Sequence, residues 1–189
     1  MRKNLLAILF LLTLPGAAAA QRVTLGGGLT FSSVSDLSNN YDASSGDLGW
    51  MLGGNVRIGK TFFVAPGFWW GENKYELTQD GGPSDGISLK GFNIPVVVGL
   101  GFDLKVVALD VYAGPTLNIL TGVSTNQFGL GKDDFKSTSF GGQIGATVDV
   151  LFLTILGSYE IPFTDLYDDA STYGSGKLGV GRIGLGFHF

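Results

Sequence analysis

Residues 177–189 read K-L-G-V-G-R-I-G-L-G-F-H-F, and their alternation runs unbroken to the last residue. In steps of two, Phe189, Phe187, Leu185, Ile183 and Gly181 share one face, while His188, Gly186, Gly184, Arg182 and Val180 share the other. A period of two over this length is a strand, because successive side chains of a helix turn by about 100° and could not hold two such faces. One face is greasy and aromatic. The other is glycine with an occasional charge. A single strand of this kind has nowhere to pair its backbone, so the same pattern should recur along the chain.

It recurs seven times. Residues 23–33 set Val23, Leu25, Leu29 and Phe31 against Thr24, Gly26, Gly28 and Thr30. Residues 48–58 set Trp50, Leu52, Val56 and Ile58 against Met51, Gly53, Asn55 and Arg57. Only Gly59-Lys60 separates them from residues 62–77, so these two read as a hairpin. In 62–77, Phe62, Val64, Phe68 and Trp70 keep phase, but the phase blurs after Gly71, where a bulge is an option. Residues 87–102, 106–120, 140–150 and 153–163 complete the set, with short turns at Asp103-Leu104-Lys105 and at Leu151-Phe152. Four long polar stretches, 35–47, 78–86, 121–136 and 165–176, alternate with the short turns. The expectation is all-β: eight antiparallel up-and-down strands, four long loops at one end and short turns at the other.

The N-terminus speaks to compartment. Arg2 and Lys3 precede an apolar run from Leu5 to Leu14, followed by Pro15-Gly16 and the alanines Ala17 to Ala20. A charged start, a short apolar run and small residues make a secretory signal peptide, expected to be cleaved after Ala20. The remaining 21–189 suits one domain. The formal net charge of −4 becomes more negative once the leader goes, and an acidic chain lacks the basic footprint of a nucleic-acid binder. The absence of cysteine excludes a disulfide framework and thiolate chemistry.

Three features point the greasy faces outward, into a membrane. The opposite faces are mostly Gly, Ser, Thr and Ala, too poor in charge for a water-facing exterior but small enough to fill a narrow eight-stranded lumen. The aromatics fall into two belts: Phe62, Phe102, Phe187 and Phe189 toward the short turns, and Trp50, Trp70 and Phe163 toward the long loops. At roughly 2.5 Å of axial rise per residue of a tilted strand, Phe62 and Trp70 lie about 20 Å apart, close to an apolar band of about 25 Å. The long loops also hold most of the acids, among them Asp36, Asp42, Asp47, Asp80, Asp85, Asp133, Asp134, Asp165, Asp168 and Asp169. That distribution fits surface loops opposite short periplasmic turns. A soluble lipocalin-like ligand-binding barrel, greasy face inward, is the weaker alternative.

With these strands in place, F-V-A-P-G-F (63–68), F-N-I-P-V-V-V-G (92–99), V-Y-A-G-P-T (111–116), G-S-Y-E-I-P-F-T-D-L (157–166) and the terminal Phe189 resemble the small outer-membrane beta-barrel domain family of Gram-negative bacteria, PorT-like and OmpA/OmpX-like eight-stranded barrels. The resemblance covers nearly all of 21–189. It implies integral residence in the outer membrane, contact with its lipids, and assembly by the barrel-assembly machinery through the C-terminal strand and Phe189. It implies a location more than a job.

No catalytic constellation stands out. The single histidine, His188, sits inward at the short-turn end, where a plug or turn-end hydrogen bond is the simpler role. Asp133-Asp134 and Asp168-Asp169 lack the ligand spacing of a calcium loop, and no cofactor is implied. The inward charges Arg57, Asp110, Asp149, Glu160 and Arg182 are more informative, because unpaired charges in a narrow lumen are costly. Placing Leu153 opposite Phe189 puts Arg182 opposite Glu160 and predicts an ion pair. The functional expectation is a non-enzymatic barrel with a side-chain-plugged lumen, acting as scaffold or as a loop-mediated binder of an extracellular or envelope protein. A small channel for ions or solutes is the alternative.

Overall fold

The computed structural model describes residues 21–37, 41–45, 47–168 and 174–189. The expected leader, residues 38–40 and 46 of the first long loop, and residues 169–173, with Asp169, lie outside the described residues. Among the described residues there are nine strands: β1 (Gln21–Leu37), β2 (Tyr41–Ser45), β3 (Gly49–Gly59), β4 (Phe62–Gln79), β5 (Ser84–Leu104), β6 (Val107–Val123), β7 (Thr138–Val150), β8 (Leu153–Pro162) and β9 (Gly174–His188). Eight close into a ring of antiparallel neighbours, β1-β3-β4-β5-β6-β7-β8-β9, with β9 returning to β1. The ninth, β2, pairs only with the far end of β4. No described helix is long and apolar enough to cross a membrane.

The ring closes where β1 and β9 are richest in glycine, pairing Gly26 with Gly186 and Gly28 with Gly184. The two backbones press together at this seam. A Cβ on Gly28 would come within 2.6 Å of the Gly184 Cα, so a larger residue there would push the closing strands apart.

Several strands run well beyond the ends the sequence pattern suggests. β4 and β5 continue until only residues 80–83 separate them, so the segment read as the second long loop is a tight turn on a tall hairpin. β1 and β6 also run on, and β2 takes part of the first loop. The third loop carries a single 3-10 turn, Lys132–Asp134.

Among the described residues β4 shows no bulge after Gly71: its register with β5 is unbroken and that with β3 holds as far as Glu72, beyond which β2 takes the place of β3; the register shifts within named pairs fall at Ser35/Leu37 and Lys90/Gly91 instead. What changes at Gly71 is which face is apolar. Below it, Phe62, Val64, Phe68 and Trp70 point out. Above it, Tyr75 and Leu77, on the opposite parity, point in and are fully buried. The strand keeps its phase, and the apolar side chains swap from its outer to its inner face.

Candidate functional site

The interior is built in layers, each set by inward positions of several strands. At the short-turn end, Asp110 of β6 accepts from Arg57 of β3 (Nη1–Oδ2 2.7 Å) and from Arg22 of β1 (Nη2–Oδ2 2.7 Å). Arg22 also pairs with Asp149 of β7. Thr154 donates to Asp149 (Oγ1–Oδ1 2.6 Å) and lies 3.0 Å from His188 Nδ1, which is 3.7 Å from the same carboxylate. The Arg57 guanidinium stacks 4.4 Å over the Phe63 ring. Gly101 is what lets this cluster fit, since a Cβ there would stand 2.8 Å from Asp110 Oδ1 and against Arg57. Two arginines against two aspartates neutralise one another, which is how a narrow, poorly hydrated lumen can hold four charges.

Higher up, Glu160 of β8 is the hub of a second layer. Arg182 of β9 donates to it (Nη2–Oε2 2.7 Å), as does Asn93 of β5 (Nδ2–Oε2 3.0 Å), while Asn118 of β6 donates to its other oxygen. The Asn93 amide also reaches Asn118 Oδ1 at 2.7 Å. Both carboxylate oxygens of Glu160 are therefore occupied. Two small cavities lie along the interior, about 90 and about 40 Å³, with Arg182 in the wall of both. At ~10–15 Å³ per water, the larger has room for about six to nine waters and the smaller for about three or four.

The third layer is apolar. Val34, Tyr75, Leu77, Ile87, Leu89, Leu130, Phe135 and Tyr167 form a buried cluster at the long-loop end, with Leu37, Leu120, Val123 and Leu178 packed against it. Members come from β1, β4, β5, β6, β9 and the loops, so they converge from around the ring. The hydroxyls of Tyr75 and Tyr167 meet inside it at 3.1 Å.

Arg57, Asp110, Asp149, Glu160 and Arg182 thus all lie buried inside the ring, in two clusters. The Glu160–Arg182 contact forms in a register different from the expected one. Leu153 faces Phe187, not Phe189, so Arg182 stands opposite Ser158 and reaches Glu160 diagonally. Two residues along a strand keep the same face, and long side chains bridge the ~7–8 Å diagonal. Three participants escaped the sequence reading. Arg22 has the inward parity of Thr24 but precedes the residue at which the strand seemed to begin. Asn93 and Asn118 carry no charge to draw attention, though both sit at inward positions.

On the outer wall, Phe62, Phe102, Phe187 and Phe189 are exposed near the short turns, and Trp70 and Phe163 nearer the other end. Trp50 is only partly exposed: it packs edge-on against Trp70, centroids 4.8 Å apart, and donates Nε1–H to Glu72 Oε2 at 3.0 Å. That bond marks a boundary, with apolar rings below and Glu72, Lys74 and Glu76 on the same face of β4 above. Phe189 itself is tied to β1 by paired backbone bonds with Val23 (2.9 and 3.2 Å).

A closed eight-stranded antiparallel ring with an apolar outer belt and a neutralised polar interior is the architecture of a small membrane barrel. The chain belongs to the outer membrane protein beta-barrel domain family, whose model matches residues 5–189, and it is an integral protein of the outer membrane. Among solved structures it is similar to the attachment invasion locus protein Ail of Yersinia pestis, at 16% identity over 90% of this chain and 99% of that one, with a TM-score of 0.51. It is also similar to Neisserial surface protein A (16% identity, 89% and 97% covered, TM-score 0.53). The outer membrane protein AlkL, whose structure is in DMPC lipid bilayers, matches at 12% identity, 90% of each chain and TM-score 0.53. At such identities the likeness concerns the fold. No curated protein sequence matches the chain.

Proposed function

We propose that this barrel works through its extracellular end, as a non-enzymatic scaffold or loop-presenting binding protein, and that its lumen conducts nothing. The observation that carries this reading is the apolar cluster around Tyr75 and Leu77 across the long-loop end, stacked above two ion-paired layers. An ion on the axis would have to shed its hydration in that apolar layer, and the two cavities beneath are too small to form a water-filled path.

The two aromatic belts act as membrane girdles, Trp50, Trp70 and Phe163 at one interface and Phe62, Phe102, Phe187 and Phe189 at the other. Phe189 and the closing strand serve as the assembly signal read by the barrel-assembly machinery after cleavage near Ala20. The acids of the long-loop end, Asp36, Asp42, Asp80, Asp85, Asp133 and Asp134 among them, offer a surface for an extracellular or envelope protein of basic character, and none for nucleic acid.

Single-channel recording on refolded protein in a planar bilayer tests the reading. Insertion is verified by the faster gel migration of the unboiled form. A folded, inserted and silent barrel is the expected result. Discrete conductance steps that change on Glu160→Ala or Arg182→Ala would replace it with the channel reading.

A further inference from the structure

The turns at the short-turn end are of two kinds. The Lys60-Thr61 turn is polar and drawn toward the lumen: the Lys60 carbonyl accepts from Arg57, and the Thr61 carbonyl accepts from the Gly101 amide at 2.8 Å. The β5–β6 and β7–β8 turns carry apolar side chains instead. Leu104 and Val106 are 65% and 67% exposed, and Leu151 and Phe152 74% and 58%. Leu151 adopts a positive φ of 58°, a conformation usually left to Gly, Asn or Asp in tight hairpins. A strained turn whose two residues are both large and apolar suits a surrounding other than water.

Three observations identify that surrounding. The two turns are neighbours on the rim, since β6 pairs β7 and Val107 faces Val150 at their bases. Phe152 leans back along the outer wall and stacks on Phe187, rings 6.1 Å apart and within 5° of parallel. The patch is therefore continuous with the apolar belt that faces lipid. Finally, the charges of this arc are Lys105, set between Leu104 and Val106, and Asp103, whose parity is opposite to that of the outward Phe102; a lysine so placed extends its ammonium to phosphate while its stem and apolar neighbours stay in hydrocarbon.

We propose that the β5–β6 and β7–β8 turns insert into the inner leaflet of the outer membrane, so that the barrel sits tilted, this side sunk deeper than the Lys60-Thr61 side. The proposal rests on the membrane-barrel reading and adds a lipid-binding rim to it. The tilt follows from the asymmetry. At its turn one arc presents the polar Lys60 and Thr61, whereas the adjacent arc presents the exposed Leu104, Val106, Leu151 and Phe152 beside its charges, so a barrel standing upright would either expose those four to water or bury the first arc.

The sequence has no cysteine, so single spin labels can be placed by Leu151→Cys, Val106→Cys, Thr61→Cys and the mid-belt control Leu185→Cys, each in the full mature chain in anionic phospholipid vesicles. Collision with oxygen reports hydrocarbon, and collision with a water-soluble nickel chelate reports water. The expected result is that labels at 151 and 106 favour oxygen several-fold over the label at 61 and approach the label at 185. If 151 and 106 are as open to nickel as 61 while 185 remains in lipid, the inserted rim is wrong and the membrane reading survives. If 185 is itself open to nickel, both fall.

Discussion

The lower and upper halves of β4 obey opposite rules. Between Phe62 and Trp70 the strand turns aromatic and branched side chains outward and Phe63, Ala65 and Trp69 inward. Between Lys74 and Gln79 it buries its apolar residues inside and turns Lys74, Glu76 and Thr78 outward. β4 keeps one register with β5 through both halves, while on its other side the partner changes from β3 to β2 above Glu72. On the proposed membrane reading, what changes is the solvent. Below Glu72 the outer face meets hydrocarbon, which imposes no penalty on an exposed leucine, and the inside need only be small and satisfied. Above it the wall stands in water and the inside becomes an ordinary hydrophobic core. The molecule is a membrane barrel continued upward as a soluble one, and a single strand serves both.

The contrast can be broken at several points. Removing one member of the buried pair in the membrane half should have the largest effect. Arg182→Ala leaves Glu160 without its counter-charge and should destabilise by about 3–5 kcal/mol, read as a lowered midpoint in urea unfolding from vesicles; replacing both partners by apolar residues of similar size should recover most of it. In the upper half the equivalent injury is apolar. Leu77→Ala opens a cavity in a core that lipid cannot fill and should cost about 2–5 kcal/mol, whereas lipid refills the space left by Leu52→Ala on the outer belt, which should cost much less.

Charge reverses that asymmetry. Leu185→Arg places a cation in the belt and should cost about 2–4 kcal/mol in a bilayer, while Lys74→Leu on the water-exposed outer face should stay within about 0.5 kcal/mol. Equal responses at 185 and 74 would remove the boundary. Among the losses expected inside the ring the smallest is that of Tyr75→Phe, which deletes the hydroxyl contact to Tyr167 inside the upper core. It should cost about 1 kcal/mol in the same unfolding measurement.

The parts legible in the sequence were those governed by one solvent. Wherever a strand lies wholly in the membrane, its alternation states directly which face is outward, and β3, β7, β8 and the lower part of β9 were readable on that basis. The upper strands were not, because a reader following one phase sees Tyr75, Leu77, Ile87 and Leu89 as a loss of pattern when they are the same pattern with its meaning reversed. The long loops accordingly looked longer than they are.

Alternation also says nothing about height along the axis. The expected register between β8 and β9 was off by two, since the Leu151-Phe152 turn takes its bond from the His188 amide (N–O 3.0 Å) and leaves Phe189 to pair with Val23 of β1. A slip of two preserves every face, so the Glu160–Arg182 contact survives it. A slip of one would have sent Arg182 into lipid.

The account rests most directly on where β4 leaves the membrane. Single cysteines at Phe68, Lys74, Glu76 and Leu77, each in the refolded chain in vesicles, can be exposed to a membrane-impermeant maleimide and their labelling followed by gel shift. Rapid modification at 74 and 76, with protection at 68 by lipid and at 77 by the upper core, is the predicted result. Equal labelling at 68 and 74, or ready labelling at 77, would contradict the reversal of faces.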